Sequence, residues 1–205
     1  MEKVIENFET EINKCSEMEK KNLMTLLYYM HNVIENYFGG RGIHNKRQKA
    51  YFDAPRGLLN LSDIENEQIG VCAERAMVGH QLLMLLSKDG DINYDSYIAN
   101  SFLTVEGERE PHSFIILKHK EEDKQFLFDI ENLVQYQNDG KIVGGIALYS
   151  MTETEYKDFV EGKVVSPQSI YEKFGMTLIG DKRYYGNGEI PIDKGNPIEK
   201  DEIDI

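Results

Sequence analysis

The hydrophobic pattern of this chain changes once, and the change decides where helices and strands can form. Apolar residues recur at helical spacing over 19–38 and again over 72–89, and a glycine follows each stretch. Over 94–149, aromatic and β-branched residues instead cluster in shorter runs, which turn-forming residues separate. The sequence therefore predicts a helical first part followed by a sheet.

Length and composition predict one folded domain. The chain has 205 residues, of which 40% are hydrophobic, enough to bury a core. Its net charge of −13 argues against nucleic acid or an anionic membrane as partner, because phosphate binding requires clustered Lys and Arg. The acidic amino terminus lacks the apolar stretch of a signal peptide, and the longest strongly apolar run is Leu82–Leu86. We therefore expect a soluble, cytoplasmic protein.

A thiol, an imidazole and a carboxylate occur in an order that suggests chemistry. Cys72 opens the second predicted helix, His112 heads an apolar strand, and Asp129 lies near the end of the next strand. These groups are the parts of a cysteine-nucleophile acyl-transfer site. If 112–117 and 125–130 pair as an antiparallel hairpin, His112 faces Asp129. Their turn lacks Gly or Asn, so a longer loop with a small register shift is allowed, and a diagonal neighbour would remain within reach.

The predicted position of Cys72 at a helix N-terminus has its own consequence. Unpaired backbone N–H groups and the helix dipole favour an anion there, which raises the thiolate fraction. The same N–H groups could bind an oxyanion, and the N–H of Cys72 is the first candidate donor. The side chain of Gln68 is a candidate second donor. Glu74, in the first helical turn, is expected to support the helix start rather than to react.

Three segments together resemble a known family. Gly70–Ala76, Pro111–Ile116 and Phe128–Asp129 look like the three sequence blocks of the transglutaminase-like superfamily, relatives of the papain-like cysteine proteases. The resemblance implies an α+β fold in which N-terminal helices precede a core helix packed on an antiparallel sheet. It also implies that Cys72 is the nucleophile, His112 the general base and acid, and Asp129 the group that orients the imidazole.

The resemblance further implies a reaction class. Such an enzyme would attack amide bonds through a thioester intermediate, as a protease, amidase, protein deamidase or transglutaminase. The expected partner is a peptide or protein substrate carrying a glutamine or peptide amide, and no cofactor is expected. The residues leave the choice between hydrolysis and amine transfer open.

Two other functions remain open. Arylamine N-acetyltransferases also order Cys, His and Asp, and their Cys-x-Glu block is matched by Cys72-Ala73-Glu74, so acyl transfer from a thioester donor is an alternative. The same fold could also serve as a non-catalytic binding module. The rate at which each thiol is alkylated distinguishes an enzyme from a binding module. An enzyme should have a Cys72 that reacts faster than Cys15, which we expect to be inert and partly exposed.

We expect no metal site, on the basis of two candidate pairs. His112 and His119 are an odd number of positions apart and so point to opposite faces of a strand, while Cys72 and His80 lie about two helical turns apart. His80 is expected to be packed or hydrogen-bonded in the core. His31 and His44 are expected to face solvent.

The domain boundaries follow from these assignments. Residues 1–180 are expected to form a single transglutaminase-like domain, with an N-terminal helical part over 1–50 and a catalytic core over about 60–150. Within the first part, the basic stretch 39–49 is expected to be a solvated loop without function. Residues 181–205 are rich in Gly, Pro and acidic residues, which predicts a loosely ordered tail.

Overall fold

The structure is a computed structural model that describes residues 2–38, 44–55, 59–105, 108–138, 141–161, 176–179 and 182–185. The helices are α1 (Glu2–Ile12), α2 (Glu17–Lys20), α3 (Leu23–Phe38), α4 (His44–Asp53), α5 (Leu61–Glu67), α6 (Cys72–Asp89) and α7 (Glu153–Val160). The strands are β1 (Tyr94–Val105), β2 (Glu108–His119), β3 (Gln125–Asn138), β4 (Lys141–Met151), β5 (Met176–Ile179) and β6 (Lys182–Tyr185). Helices α1 to α6 thus precede strands β1 to β4, as the change of periodicity predicts.

The architecture is α+β, with helices packed on a sheet whose strands β1 to β4 are antiparallel. Strand β6 pairs with β3 in parallel, and β5 pairs with β6. Helix α6 packs on β1, β2 and β3, and α3 packs between α1 and α6. The helices of the described ranges include none that is long and apolar enough to cross a membrane.

The helical stretch predicted over 19–38 is divided into α2 and α3. The Asn22 side chain accepts hydrogen bonds from the backbone N–H groups of Met24 and Thr25, at 2.9 and 3.2 Å. This is an N-cap, which begins a new helix by satisfying its first donors. Helix α3 then buries one side against the core, and its last residue, Phe38, is fully buried.

Helix α6 approaches the sheet closely because it carries a glycine on its packed face. A Cβ atom added at Gly79 would lie 2.3 Å from Ile130 Cδ1 and 3.0 Å from Ile115 Cδ1. Both isoleucines are fully buried, in β3 and β2 respectively. The helix ends at Gly90, whose φ of 84° lies in the left-handed region that glycine tolerates best. The core helix predicted over 72–89 is confirmed.

The register between β2 and β3 differs from the predicted one. Leu127 pairs with Ile116 and not with Phe114, a shift of two residues. The cause is a longer turn, in which the His119 N–H donates to the Lys124 carbonyl at 2.9 Å. A shift of two keeps every side chain on its predicted face, since strands alternate with a period of two.

A bulge interrupts the pairing of β3 with β4. Asp129 pairs with Ala147, but the next pair is Leu133 with Ile146, so 130–132 on β3 have no opposite residue on β4. Bulges bend a strand and re-aim side chains, and they are common beside active sites. This bulge starts immediately after Asp129.

One part of the predicted tail is a strand. Lys182–Tyr185 form β6, so the prediction of a loosely ordered segment from 181 is wrong for these residues, which complete backbone pairing at β3. Tyrosine favours strands, a signal that the surrounding Gly, Pro and acidic residues concealed. Residues 186–205 lie outside the described residues.

Gly70 lies two positions before Cys72 and is closely packed. A Cβ atom there would lie 2.4 Å from Phe38 Cδ1 and Cγ and 2.7 Å from its Cβ. The base of a buried ring cannot move aside as a flexible chain end can, so Gly70→Ala is expected to lower the free energy of unfolding by about 1–3 kcal/mol. Urea denaturation measures the loss.

The matched control is the same substitution in a Phe38→Ala background, which lacks the ring with its Cγ and Cδ1 atoms. Gly70→Ala should cost clearly less there, because the two atoms at 2.4 Å are gone. An equal cost in both backgrounds would mean that contact with Phe38 does not explain the requirement for glycine.

Candidate active site

His112 and Asp129 form a buried hydrogen-bonded pair. His112 Nε2 lies 2.9 Å from Asp129 Oδ2, and the two side chains are 5% and 0% exposed. The observed register, continued toward the start of β2, would place His112 diagonally across from Asp129. The pair therefore forms through the diagonal contact, not the directly opposite one first predicted.

Cys72 and Glu131 complete the cluster on the other side of the imidazole. The Cys72 Sγ, a ring nitrogen of His112 and a carboxylate oxygen of Glu131 all lie within 4.8 Å of one another. Glu131 Oε2 is 3.7 Å from His112 Nδ1, and the Glu131 side chain is 25% exposed. Three elements thus meet at one point: the start of α6, strand β2 and the bulge of β3. Cys72 as a residue is half-buried.

Glu74 holds the first turn of α6, as predicted. Its Oε2 accepts a hydrogen bond from the Val71 N–H at 3.0 Å, which satisfies a donor just before the helix. Its Oε1 lies 2.6 Å from Arg47 Nη2, and both side chains are largely buried. Cys72 therefore begins a helix whose first turn is tied to α4.

Two guanidinium groups fix the segment that leads into Cys72. Arg47 Nη1 donates to the Ile69 carbonyl at 2.8 Å, and Arg75 Nε donates to the Gly70 carbonyl at 3.2 Å. Arg75 is only 3% exposed. The prediction that the basic stretch 39–49 is a solvated loop is therefore wrong for its second half, which enters α4. Residues 39–43 lie outside the described residues.

His31, in α3, forms a hydrogen bond with the backbone of the bulge. Its Nδ1 lies 2.7 Å from the Ile130 carbonyl, and since a carbonyl only accepts, Nδ1 carries the proton. Its Nε2 lies 3.2 Å from Glu35 Oε2, without the alignment of a hydrogen bond. At 2% exposure His31 is buried, so the prediction that it faces solvent is wrong. Its bond reaches the residue between Asp129 and Glu131, which makes it a positioning residue for both carboxylates.

The imidazole of His112 is also packed from one side. Its ring stacks on the buried Phe114 ring, with centroids 6.5 Å apart and planes inclined by 25°. A low-polarity neighbourhood strengthens the electrostatic contact between His112 and Asp129. The next residue, Ser113, donates its hydroxyl to Asn100 Oδ1 at 2.7 Å and so ties β2 to β1.

The other candidate residues lie elsewhere. Gln68 Nε2 donates to the Asn36 carbonyl in α3 at 3.4 Å, a contact that gives no support to an oxyanion role. His80 Nδ1 lies 2.8 Å from Ser96 Oγ, which confirms the expectation of a hydrogen-bonded residue, and burial lowers the pKa of His80. The side chain of His44 lies outside the described residues.

Glu131 is the site residue that the sequence analysis missed. The sequence analysis weighed two pairs of side chains as metal ligands but did not consider Glu131 beside Cys72 and His112. A signal was present, because Glu131 follows Asp129 by two positions in a strand and so points to the same face. What the sequence did not indicate is that this face meets the start of α6.

Neither a scan against protein-family models nor searches of curated proteins and of solved structures finds a match for this chain. Its function is therefore inferred from the residues of the site, their distances and their burial.

Proposed function

We propose that the protein is a transglutaminase-like cysteine enzyme that transfers acyl groups from amide bonds through a thioester on Cys72. The observation that carries this proposal is the position of His112, which has Asp129 on one nitrogen and the Cys72 thiol within 4.8 Å of the ring. The α+β architecture, with α6 packed on the antiparallel strands, agrees with the fold that the sequence resemblance implies.

Asp129 would set the proton arrangement of the imidazole. A carboxylate only accepts hydrogen bonds, so His112 Nε2 carries the proton that it donates to Asp129. The neutral ring then keeps its lone pair on Nδ1, as a base for the thiol. A separation longer than a hydrogen bond is usual before substrate binds, and rotation of the small Cys72 side chain can shorten it.

The chemical steps follow from these groups. His112 takes the proton of Cys72, and the sulfur attacks the amide carbonyl to form a tetrahedral intermediate. The N–H of Cys72, at the first position of α6, donates to the oxyanion. The C–N bond then breaks, the amine leaves with the proton from His112, and a thioester remains. Water or a second amine attacks the thioester, and His112 accepts the proton of that nucleophile. The C–S bond then breaks, the acyl product leaves, and the Cys72 sulfur recovers the proton from His112.

The substrate class comes from the resemblance alone: a peptide or a protein with a glutamine or peptide amide. An acyl thioester donor would acylate the same sulfur, so acetyltransferase-like chemistry is a variant of the same first half-reaction. A binding module would instead need no activated thiol, and this difference is measurable.

The test is selective alkylation of the native protein by iodoacetamide at neutral pH. Cys72 and Cys15 are both half-buried, so exposure alone predicts similar rates. We expect Cys72 to react at least about tenfold faster, because His112 can accept its proton as the sulfur attacks the reagent. Peptide mapping by mass spectrometry measures both thiols in one sample, and Cys15 serves as the internal control.

A second variant assigns the cause. His112→Gln should slow Cys72 to about the rate of Cys15, whereas His119→Gln, on the same strand near the turn, should not. Equal slow rates for both thiols in the parent protein would refute an activated nucleophile and favour the binding module.

A further inference from the structure

We propose that Cys72, His112 and Glu131 also form a binding site for one zinc-type divalent ion, and that this ion masks the thiol. The metal site rests on the geometry of the three side chains. Only the consequence, reversible inhibition, rests on the proposed function.

The spacing of the donor atoms is close to that of a metal site. Zinc bonds of about 2.0–2.3 Å in tetrahedral geometry place ligand atoms about 3.3–3.8 Å apart. His112 Nδ1 and Glu131 Oε2 are 3.7 Å apart, within that range. The Cys72 Sγ lies within 4.8 Å of both partners, so a movement of about 1 Å completes the set.

The three donors define the class of ion. A thiolate, an imidazole and a carboxylate all bind zinc, and three protein ligands leave a fourth position for water. Magnesium and calcium prefer oxygen ligands and bind such a mixed set poorly. The site therefore selects zinc, or cobalt as its spectroscopic substitute.

Asp129 would orient His112 as a metal ligand without contacting the ion itself. Histidine ligands commonly donate their second N–H to a carboxylate, which fixes the ring and strengthens the metal bond. His112 already makes this contact, with Nε2 at 2.9 Å from the fully buried Asp129. The same hydrogen bond keeps the ring proton on Nε2, so the lone pair of Nδ1 can accept a proton in the reaction or bind a metal ion.

Charge provides a separate argument. Glu131 and Asp129 both approach the ring of His112, and the Cys72 sulfur lies within 4.8 Å of the Glu131 carboxylate. A divalent cation would pair with the carboxylate and the thiolate at once. In that metal-bound state the sulfur lone pair is used in the bond to the ion and cannot attack a carbonyl.

The experiment starts from Cys15→Ser, which leaves Cys72 as the single thiol of the chain. Co²⁺ is titrated into this protein and followed by absorption. We expect a stoichiometric complex with a near-ultraviolet thiolate-to-cobalt band, which Zn²⁺ abolishes. Saturating Zn²⁺ should also slow alkylation of Cys72 by at least about tenfold, and a chelator should restore the rate.

Variants locate the site. Glu131→Gln should weaken Co²⁺ binding by about tenfold or more. Asp129→Asn should weaken it by about 10–100-fold, the usual range for loss of a residue that hydrogen-bonds to a metal ligand. The matched control is Glu122→Gln, which removes the same charge from the exposed turn and should leave the affinity unchanged. Thermal melts confirm that each variant is folded.

The outcomes separate the two proposals. Absence of the thiolate band, or equal affinity of Glu131→Gln and its parent, would overturn the metal site. An intact band with slow alkylation of metal-free Cys72 would retain the metal site and reject the activated nucleophile. Both proposals are supported if metal-free Cys72 reacts fast and Zn²⁺ protects it in the parent protein. The same Zn²⁺ concentration should then fail to protect Cys72 in Glu131→Gln.

Discussion

Cys72→Ala should abolish acyl transfer and leave the fold intact. The thiol is the one protein group in the proposed mechanism that bonds to the acyl carbon, so its loss removes the first half-reaction. Because Cys72 is half-buried and small, the substitution should change the free energy of unfolding by less than about 1 kcal/mol. A chromogenic activated ester, p-nitrophenyl acetate, measures acylation of the thiol whatever the natural substrate is. The parent protein should show a stoichiometric burst, and the variant should show none.

Cys15→Ala is the matched control and should keep the full burst. Urea denaturation of both variants tests the second half of the prediction. A Cys72→Ala protein that unfolds would mark the residue as part of the core, and a variant that keeps the burst would exclude Cys72 as nucleophile.

Asp129→Asn should lower the rate of acylation by about four orders of magnitude, or about 5 kcal/mol in the activation free energy. An amide can donate to the imidazole and so favour the wrong tautomer, with the proton on the nitrogen that faces the thiol. It also cannot stabilise the imidazolium that forms when Cys72 gives up its proton. Since the amide is similar in size and can still hydrogen-bond to His112, the fold should persist.

Asp123→Asn is the matched control for Asp129→Asn. It removes the same charge from the exposed turn before β3 and should leave the burst rate unchanged. Single-turnover kinetics with the activated ester measure both variants. A normal rate for folded Asp129→Asn would remove this carboxylate from the mechanism and leave the 2.9 Å contact as a purely structural one.

The groups that position the site are distant in sequence from the groups that would react. Arg47 reaches Glu74 and the carbonyl before Gly70, and His31 reaches the bulge that follows Asp129. The His31 contact is buried and the Arg47 contacts are partly buried, and such polar contacts cost stability when one partner is removed. We therefore expect the start of α6 and the bulge of β3 to be rigid, as a preorganised site requires.

Local patterns in the sequence were sufficient for the elements themselves. Helical spacing predicted the bounds of α6 correctly, and the strands β1 to β4 begin in the region that residue types assign to a sheet. A capping box of Thr152 and Glu155 begins α7, as this pair of residue types at this spacing predicts. These features depend on neighbours within a few positions, where propensity and hydrogen bonding to the nearest backbone decide the outcome. The order of Cys72, His112 and Asp129 along these elements is equally a property of the sequence.

Contacts between distant segments decided the rest. The length of the turn before β3 set the register, and the packing of β3 against the start of α6 brought Glu131 beside Cys72. His31 was assigned to solvent because a helical stripe does not reveal which polar residue finds a carbonyl 99 positions away. The two-residue alternation within a single strand decides the face to which each side chain points. Register, bulges and buried polar partners depend instead on how two separate segments pack. For that reason the sequence alone indicated Cys72, His112 and Asp129 as candidate reacting groups. The packing of distant segments placed Glu131 beside Cys72 and His112, and it let Arg47 and His31 hold the start of α6 and the bulge of β3.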